Sequence, residues 1–129
     1  MTALVTHRGG CHCGDVAFEV DAPQRLAAQE CNCSICSMTG FLHLIVPANR
    51  FRLLRGADRL TTYTFNTGVA QHYFCATCGV APFYVPRSDP EKIDVNARCL
   101  EGVDPASVRV TTYDGQNWEA AYETYRRPT

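Results

Sequence analysis

The sequence has no long apolar run. Its longest, Leu42 to Pro47, falls far short of the roughly 20 residues that a membrane-spanning helix needs. It also lacks an excess of charge of one sign. Twelve basic and 13 acidic side chains leave a formal net charge of −1, so there is no strong electrostatic footprint for nucleic acid or an anionic membrane. The opening Met1-Thr2-Ala3-Leu4-Val5-Thr6-His7 has neither the basic start nor the extended apolar stretch of a secretory signal. Internal repeats, low-complexity tracts and linkers are missing too. What remains is the expectation of one cytoplasmic domain over residues 1–129, with its core at about 7–122 and no membrane or nucleic-acid partner. The 129 residues are 46% hydrophobic and 19% charged, enough to build a core without disulfide staples.

Cysteine is what the chain has in excess, with 8 residues. In a reducing compartment, a cysteine-dense chain more often binds metal than forms disulfides. The cysteines are also clustered: Cys11 and Cys13; Cys31, Cys33 and Cys36; Cys75 and Cys78; with Cys99 apart. Thiols one or two residues apart are poor disulfide partners but can reach one ion from a single turn.

The periodicity is mostly that of strands. Val16, Phe18 and Val20 alternate with Ala17 and Glu19, as in a half-buried strand. Phe41 to Val46 is a short apolar run stopped by Pro47, and Arg50 to Leu54 follows. The β-branched and aromatic stretch Leu60 to Phe65, a turn at Asn66-Thr67-Gly68 and the run Ala70 to Phe74 predict a hairpin that ends at Cys75. Val80 to Val85, Lys92 to Ala97 and Val108 to Tyr113 complete the expected strands. Only Ser34 to Thr39 and Asp104 to Ser107 read as helical, each about one turn. The fold class expected is mainly β, folded sheets or a sandwich with very little helix.

Cys11-His12-Cys13-Gly14 and Cys75-Ala76-Thr77-Cys78-Gly79 form two chelating arms, each ending in a glycine free to take positive φ. Four thiolates satisfy the tetrahedral preference of zinc and leave no open position, the pattern of a structural site. A redox dithiol is the other reading of Cys75 and Cys78, but the βαβ context of such motifs is missing. His12, between two ligands, points away from them. Cys31-Asn32-Cys33-Ser34-Ile35-Cys36 offers three thiolates, which with a free fourth position describe a catalytic zinc centre. Cys99 either supplies the fourth ligand or is a buried structural thiol.

The order Cys-x-Cys, Cys-x-Cys-x-x-Cys, Cys-x-x-Cys-Gly resembles the glutathione-dependent formaldehyde-activating family, which includes centromere protein V. The resemblance runs from Gly9-Gly10-Cys11-His12-Cys13-Gly14 to Asp114-Gly115-Gln116-Asn117-Trp118-Glu119. Cys33-Ser34-Ile35-Cys36, His72-Tyr73-Phe74-Cys75 and Tyr84-Val85-Pro86-Arg87-Ser88 look most like the centromere-protein branch. It implies an Mss4-like, largely β fold with two zinc ions per chain. One would be structural, on Cys11, Cys13, Cys75 and Cys78, and one catalytic in type, on Cys31, Cys33 and Cys36. The implied chemistry is that of a carbon–sulfur lyase acting on adducts of glutathione, or a related thiol, with formaldehyde or another aldehyde. The middle motif departs from the family, with Asn32 and Ser37 where the family often has His and a basic residue. That difference bears on whether a glutathione carboxylate is held there.

A thiol bound to such a zinc is deprotonated and can attack an aldehyde carbon. The acid for the developing alkoxide is open among His43, His72, Tyr63, Tyr73 and Tyr84. Arg87 and Arg98 are candidates to clamp a substrate carboxylate. Phe41, Phe83, Tyr84 and Trp118 could line a pocket or belong to the core. The competing function is a zinc-stabilised Mss4-like binding module without chemistry, which gains if Cys99 closes the second site.

Overall fold

The computed structural model describes residues 3–65, 68–87, 89–117 and 119. Among these residues, ten strands form two sheets. β1 (Leu4–Gly10), β2 (Ala17–Pro23) and β5 (Phe51–Arg55) make an antiparallel sheet in the order β1-β2-β5. The larger sheet takes β3 (Ala27–Cys31), β4 (Leu42–Pro47), β6 (Leu60–Tyr63), β7 (Gln71–Cys75), β8 (Phe83–Val85), β9 (Lys92–Asn96) and β10 (Arg109–Tyr113). Their order is β10-β3-β4-β9-β8-β7-β6, and only the β10–β3 pair is parallel. A short helix, α1 (Ser34–Thr39), follows β3, and single 3-10 turns fill several connections. The fold is mainly β, as expected.

The core lies where β2 meets the large sheet. Phe18, Val20 and Ala22 are buried on alternate positions of β2, the period that turns every second side chain inward. Phe18 stacks on Phe51 at 5.3 Å between ring centroids and meets Phe83 edge-on at 6.2 Å. Each fully buried Phe or Val contributes about 1.5–3 kcal/mol. On the opposite face of β2, Arg52 holds Asp21 through two bonds of 2.8 and 3.0 Å. That guanidinium, with the Thr6 hydroxyl, brings the Asp21 carboxyl down to about 2.

The strand expectations hold with three differences. β1 and β3 were not predicted: β1 ends in Gly9-Gly10, and Ala27-Ala28-Gln29-Glu30 carries no β-branched or aromatic residue. Both are strands because of their neighbours. A Cβ on Gly9 would lie 2.7 Å from the Cys99 carbonyl, and one on Gly10 would collide with the Val16 carbonyl. The double glycine therefore permits close packing of β1. β3 is held from both sides, by β10 and β4. The expected strand from Val80 shrinks to Phe83–Val85 because Pro82, whose carbonyl accepts from the Asn96 amide of β9 at 2.9 Å, has no N–H to give back to the ladder. The expected one-turn helices appear as α1 and as a 3-10 turn at Pro105–Ser107. The predicted turn at 66–68 falls mostly outside the described residues, though the Gly68 amide donates to the Phe65 carbonyl at 3.0 Å. No helix among the described residues is long and apolar enough to cross a membrane.

Candidate metal and active site

The two chelating arms converge. The sulfurs of Cys11, Cys13, Cys75 and Cys78 all lie within 4.8 Å of one another. Cys13 Sγ is 3.6 Å from both Cys11 Sγ and Cys75 Sγ. A tetrahedron of sulfurs at roughly 2.3 Å from zinc has edges of about 3.8 Å, so this donor set fits such an ion. Cys75 ends β7, which pairs with β6 as expected, so Leu60 faces Cys75. Gly14 and Gly79 take φ of 87° and 79°, the left-handed conformation that turns each arm back. The Thr77 hydroxyl clasps the arms by donating to Asp15 Oδ2 at 2.8 Å. Backbone amides face the sulfurs, with Val16 N on Cys11 Sγ at 3.3 Å and Thr77 N on Cys75 Sγ at 3.4 Å. The amides of Val80 and Cys13 bring the Cys78 thiol down to about 6, favouring the thiolate that a metal needs.

The sulfurs of Cys31, Cys33 and Cys36 form a second group within 4.8 Å. The group is local. Cys31 ends β3, Cys33 caps α1 and accepts from the Cys36 amide at 3.5 Å, and Cys36 lies on the helix. Donation from the Cys31 and Cys36 thiols, and from the Cys36 and Ile35 amides, brings Cys33 down to about 2. Its two neighbours, which give up that hydrogen-bonding advantage, are pushed up. Asn32 and Ser37, the two departures from the family pattern, brace this loop. The Asn32 side chain donates to Asp114 Oδ1 at 3.1 Å and accepts from the Gln116 amide at 2.9 Å, while Ser37 Oγ donates to the Asn32 carbonyl at 2.9 Å.

Cys99 belongs to neither group. The expectation that it reaches the Cys31–Cys36 turn is corrected by the course of the chain after β9. A 3-10 turn at Ala97–Cys99 leads into Leu100, which bridges to Gly9 of β1, and the Glu101 amide donates to Arg8 O at 2.8 Å. Cys99 is thereby drawn toward the arm that carries Cys11, and its thiol donates to the Ala81 carbonyl at 3.9 Å. Burial, then the nearby Cys11 and Cys78 sulfurs, push it up to about 11. This fits the alternative reading as a structural thiol, although Cys99 is half-buried and not fully buried.

Behind the three-cysteine group stands a buried polar chain that the spacing of cysteines does not reveal. His43 Nε2 is 3.2 Å from Cys36 Sγ, and His43 Nδ1 is 2.6 Å from Asp94 Oδ2. The Tyr84 hydroxyl lies 3.3 Å from the same His43 nitrogen. β4 and β9 are paired neighbours, with Ile45 opposite Asp94, which is how residues 51 apart in sequence meet. Asp94 is fully buried, and its Oδ1 has no hydrogen-bond partner among the described residues. Desolvation pushes its carboxyl up, opposed by His43 and Tyr84. Burial and the Asp94 charge push Tyr84 well above the ordinary phenol range, so it keeps its proton. Sequence reasoning named His43 and Tyr84 among five candidates but missed Asp94; an aspartate in the apolar strand Ile93-Asp94-Val95 was its one visible signal.

Two cavities meet at Cys36. A polar one of about 420 Å³ is lined by Glu30, Cys31, Asn32, Cys36, Ser37 and Arg98 among others. Arg98 is fixed there by donation from Nε to the Gly40 carbonyl at 3.1 Å. The second, of about 150 Å³, is lined by Cys36, Phe41, Tyr63, His72, Ala81 and Tyr84 among others. Burial lowers the pKa of His72 and favours its neutral form. Tyr73 also lines this second cavity, with its hydroxyl donating to Gln71. Two other candidates lie elsewhere: Arg87 is paired with Glu119 at 3.0 Å, and Phe83 is a core residue. Trp118 lies outside the described residues.

With this geometry in place, comparison with known proteins is decisive for the family. Residues 6–119 match the family model described as glutathione-dependent formaldehyde-activating enzyme. The chain belongs to that family. A Halomonas elongata protein provisionally named as such an enzyme is 28% identical over 102 residues, which is 72% of this chain and 64% of the relative. This chain thus aligns with less than two thirds of that relative's length. A crystal structure of a Rhodobacter sphaeroides protein superposes with a TM-score of 0.72 at 40% identity, covering 81% of this chain and 99% of that one.

Proposed function

We propose that the chain is a zinc-dependent enzyme of the carbon–sulfur lyase type, joining a small thiol to an aldehyde and reversing that step. The thiol is glutathione or a relative. The observation that carries this reading is a three-thiol group, one donor short of a tetrahedron, opening on a polar cavity and backed by a buried His–Asp pair. Zinc bound there supplies the positive charge that holds a substrate thiol as its thiolate. Cys31, Cys33 and Cys36 would hold that ion, and Cys11, Cys13, Cys75 and Cys78 a second, structural one.

His43 Nε2 is placed to take the proton of Cys36 when that thiol becomes a ligand, and Asp94 fixes the ring and balances the charge it gains. Arg98 and Glu30 give the polar cavity one charge of each sign, which suits a thiol bearing a carboxylate and an ammonium group. Its volume of about 420 Å³ falls within the range of small-ligand pockets. The thiol sulfur adds to the carbonyl carbon, and the proton it gives up ends on the carbonyl oxygen. The non-catalytic binding module gained from a closed second site, and Cys99 does not close it.

The test is carbon-13 exchange spectroscopy of labelled formaldehyde with glutathione. The protein should speed exchange into the S-hydroxymethyl adduct, and Cys33→Ala should return it to the uncatalysed rate. No acceleration by the parent protein would overturn the reading.

A further inference from the structure

Formaldehyde has only two hydrogens on its carbonyl carbon and needs no side pocket, yet a second cavity opens beside Cys36. We propose that this cavity holds a hydrocarbon substituent on the aldehyde, so that the chain acts on aldehydes carrying an apolar group of up to about benzene size. The inference rests on the thiol–aldehyde reading above.

Size is the first argument. The cavity is about 150 Å³, the volume at which an apolar protein cavity accepts benzene. Composition is the second. Tyr63, Phe65, His72 and Tyr84 form one continuous stack, with centroid spacings of 5.7, 5.6 and 4.5 Å and interplanar angles of 25°, 25° and 12°. Phe41 closes the inner end, edge-on to Tyr84 at 5.1 Å. The stack begins at the surface, where Tyr63 and Phe65 are 51% and 39% exposed, and ends beside the Cys36–His43 contact. Large aromatics left in water on a path to a reactive centre form the kind of apolar surface that marks a ligand site.

Position is the third argument, and it decides which half of the adduct enters. Cys36 lines both cavities. The polar one, with Glu30 and Arg98, matches a charged thiol carrier. The uncharged aromatic one is left for the carbon side of the new bond. In the forward step the thiol sulfur bonds to the carbonyl carbon, whose substituent then lies along the stack.

Stable thioethers separate the halves without turnover, since the group on sulfur occupies the place of the aldehyde carbon and its substituent. Calorimetry on the zinc-loaded protein should show S-benzylglutathione binding about tenfold or more tightly than S-methylglutathione. Ala81→Leu, which fills the cavity, should bring that ratio toward one. Tyr63→Ala, at the exposed rim where folding is not at risk, should lower it as well. Equal affinities in the parent, or a benzyl preference that survives both variants, would overturn the inference and leave the thiol–aldehyde reading standing. If neither thioether nor glutathione binds, that reading fails and takes this inference with it.

Discussion

The two cysteine groups differ in what they join. The four-cysteine group draws its thiols from either end of a long loop in sequence, Cys11 and Cys13 after β1, Cys75 at the end of β7 and Cys78 just beyond it, and so ties the small sheet to the far end of the large one. The three-cysteine group lies within six residues, joins nothing distant and faces two cavities. Ligands far apart in sequence make the metal part of the fold, because closing that loop is costly without it. Ligands close together release the metal from that role and leave a donor position for chemistry.

The sharpest way to break this contrast is to remove one ligand from each group. Cys75→Ser should release about one zinc and lower the melting temperature by about 10 °C or more; an unchanged melting curve would refute the structural assignment. Cys33→Ala should also lose one zinc and reduce exchange activity by about a hundredfold or more, with melting shifted by only about 3 °C or less. If it melts as early as Cys75→Ser, both groups are structural.

A finer test addresses the polar chain behind Cys36. Asp94→Asn keeps the shape of the side chain but removes the charge that balances His43. It should weaken zinc at the three-cysteine group by about 10- to 100-fold in competition with a chelator, leaving the other ion untouched. Equal affinities would make the pair a packing feature. The smallest effect is expected on the outer face of β2. Arg52 lowers the Asp21 pKa from 3.8 to about 2, so its contribution is present above about pH 4 and is lost as pH falls through about 2. Arg52→Ala should therefore lose less stability across that interval than the parent, as followed by denaturant melts at each pH; parallel profiles would dismiss the pair.

Both cysteine groups were legible in the sequence because chelating geometry is written in local spacing, as in Cys75-Ala76-Thr77-Cys78. The hairpin delivering Cys75 was legible as well, since β-branched residues and a turn signal are also local. β1 and β3 were not, because Gly9-Gly10 and Ala27-Ala28 become strands only through partners distant in sequence. The His43–Asp94 contact and the stack from Tyr63 to Tyr84 were hidden for the same reason. Each depends on strand order and register, with His72 opposite both Tyr63 and Tyr84. Cys99 was misplaced because its local context shows where β9 ends but not that Leu100 turns to meet Gly9.

A chelator titration of the native protein, following zinc per chain, exchange activity and melting temperature together, tests the division of labour most directly. The account predicts two zinc ions per chain and two separate steps. The first ion lost should take the activity with it and leave the melting temperature nearly unchanged, and the second should unfold the protein. Loss of both ions in one step, or a fall in melting temperature with the first, would contradict it.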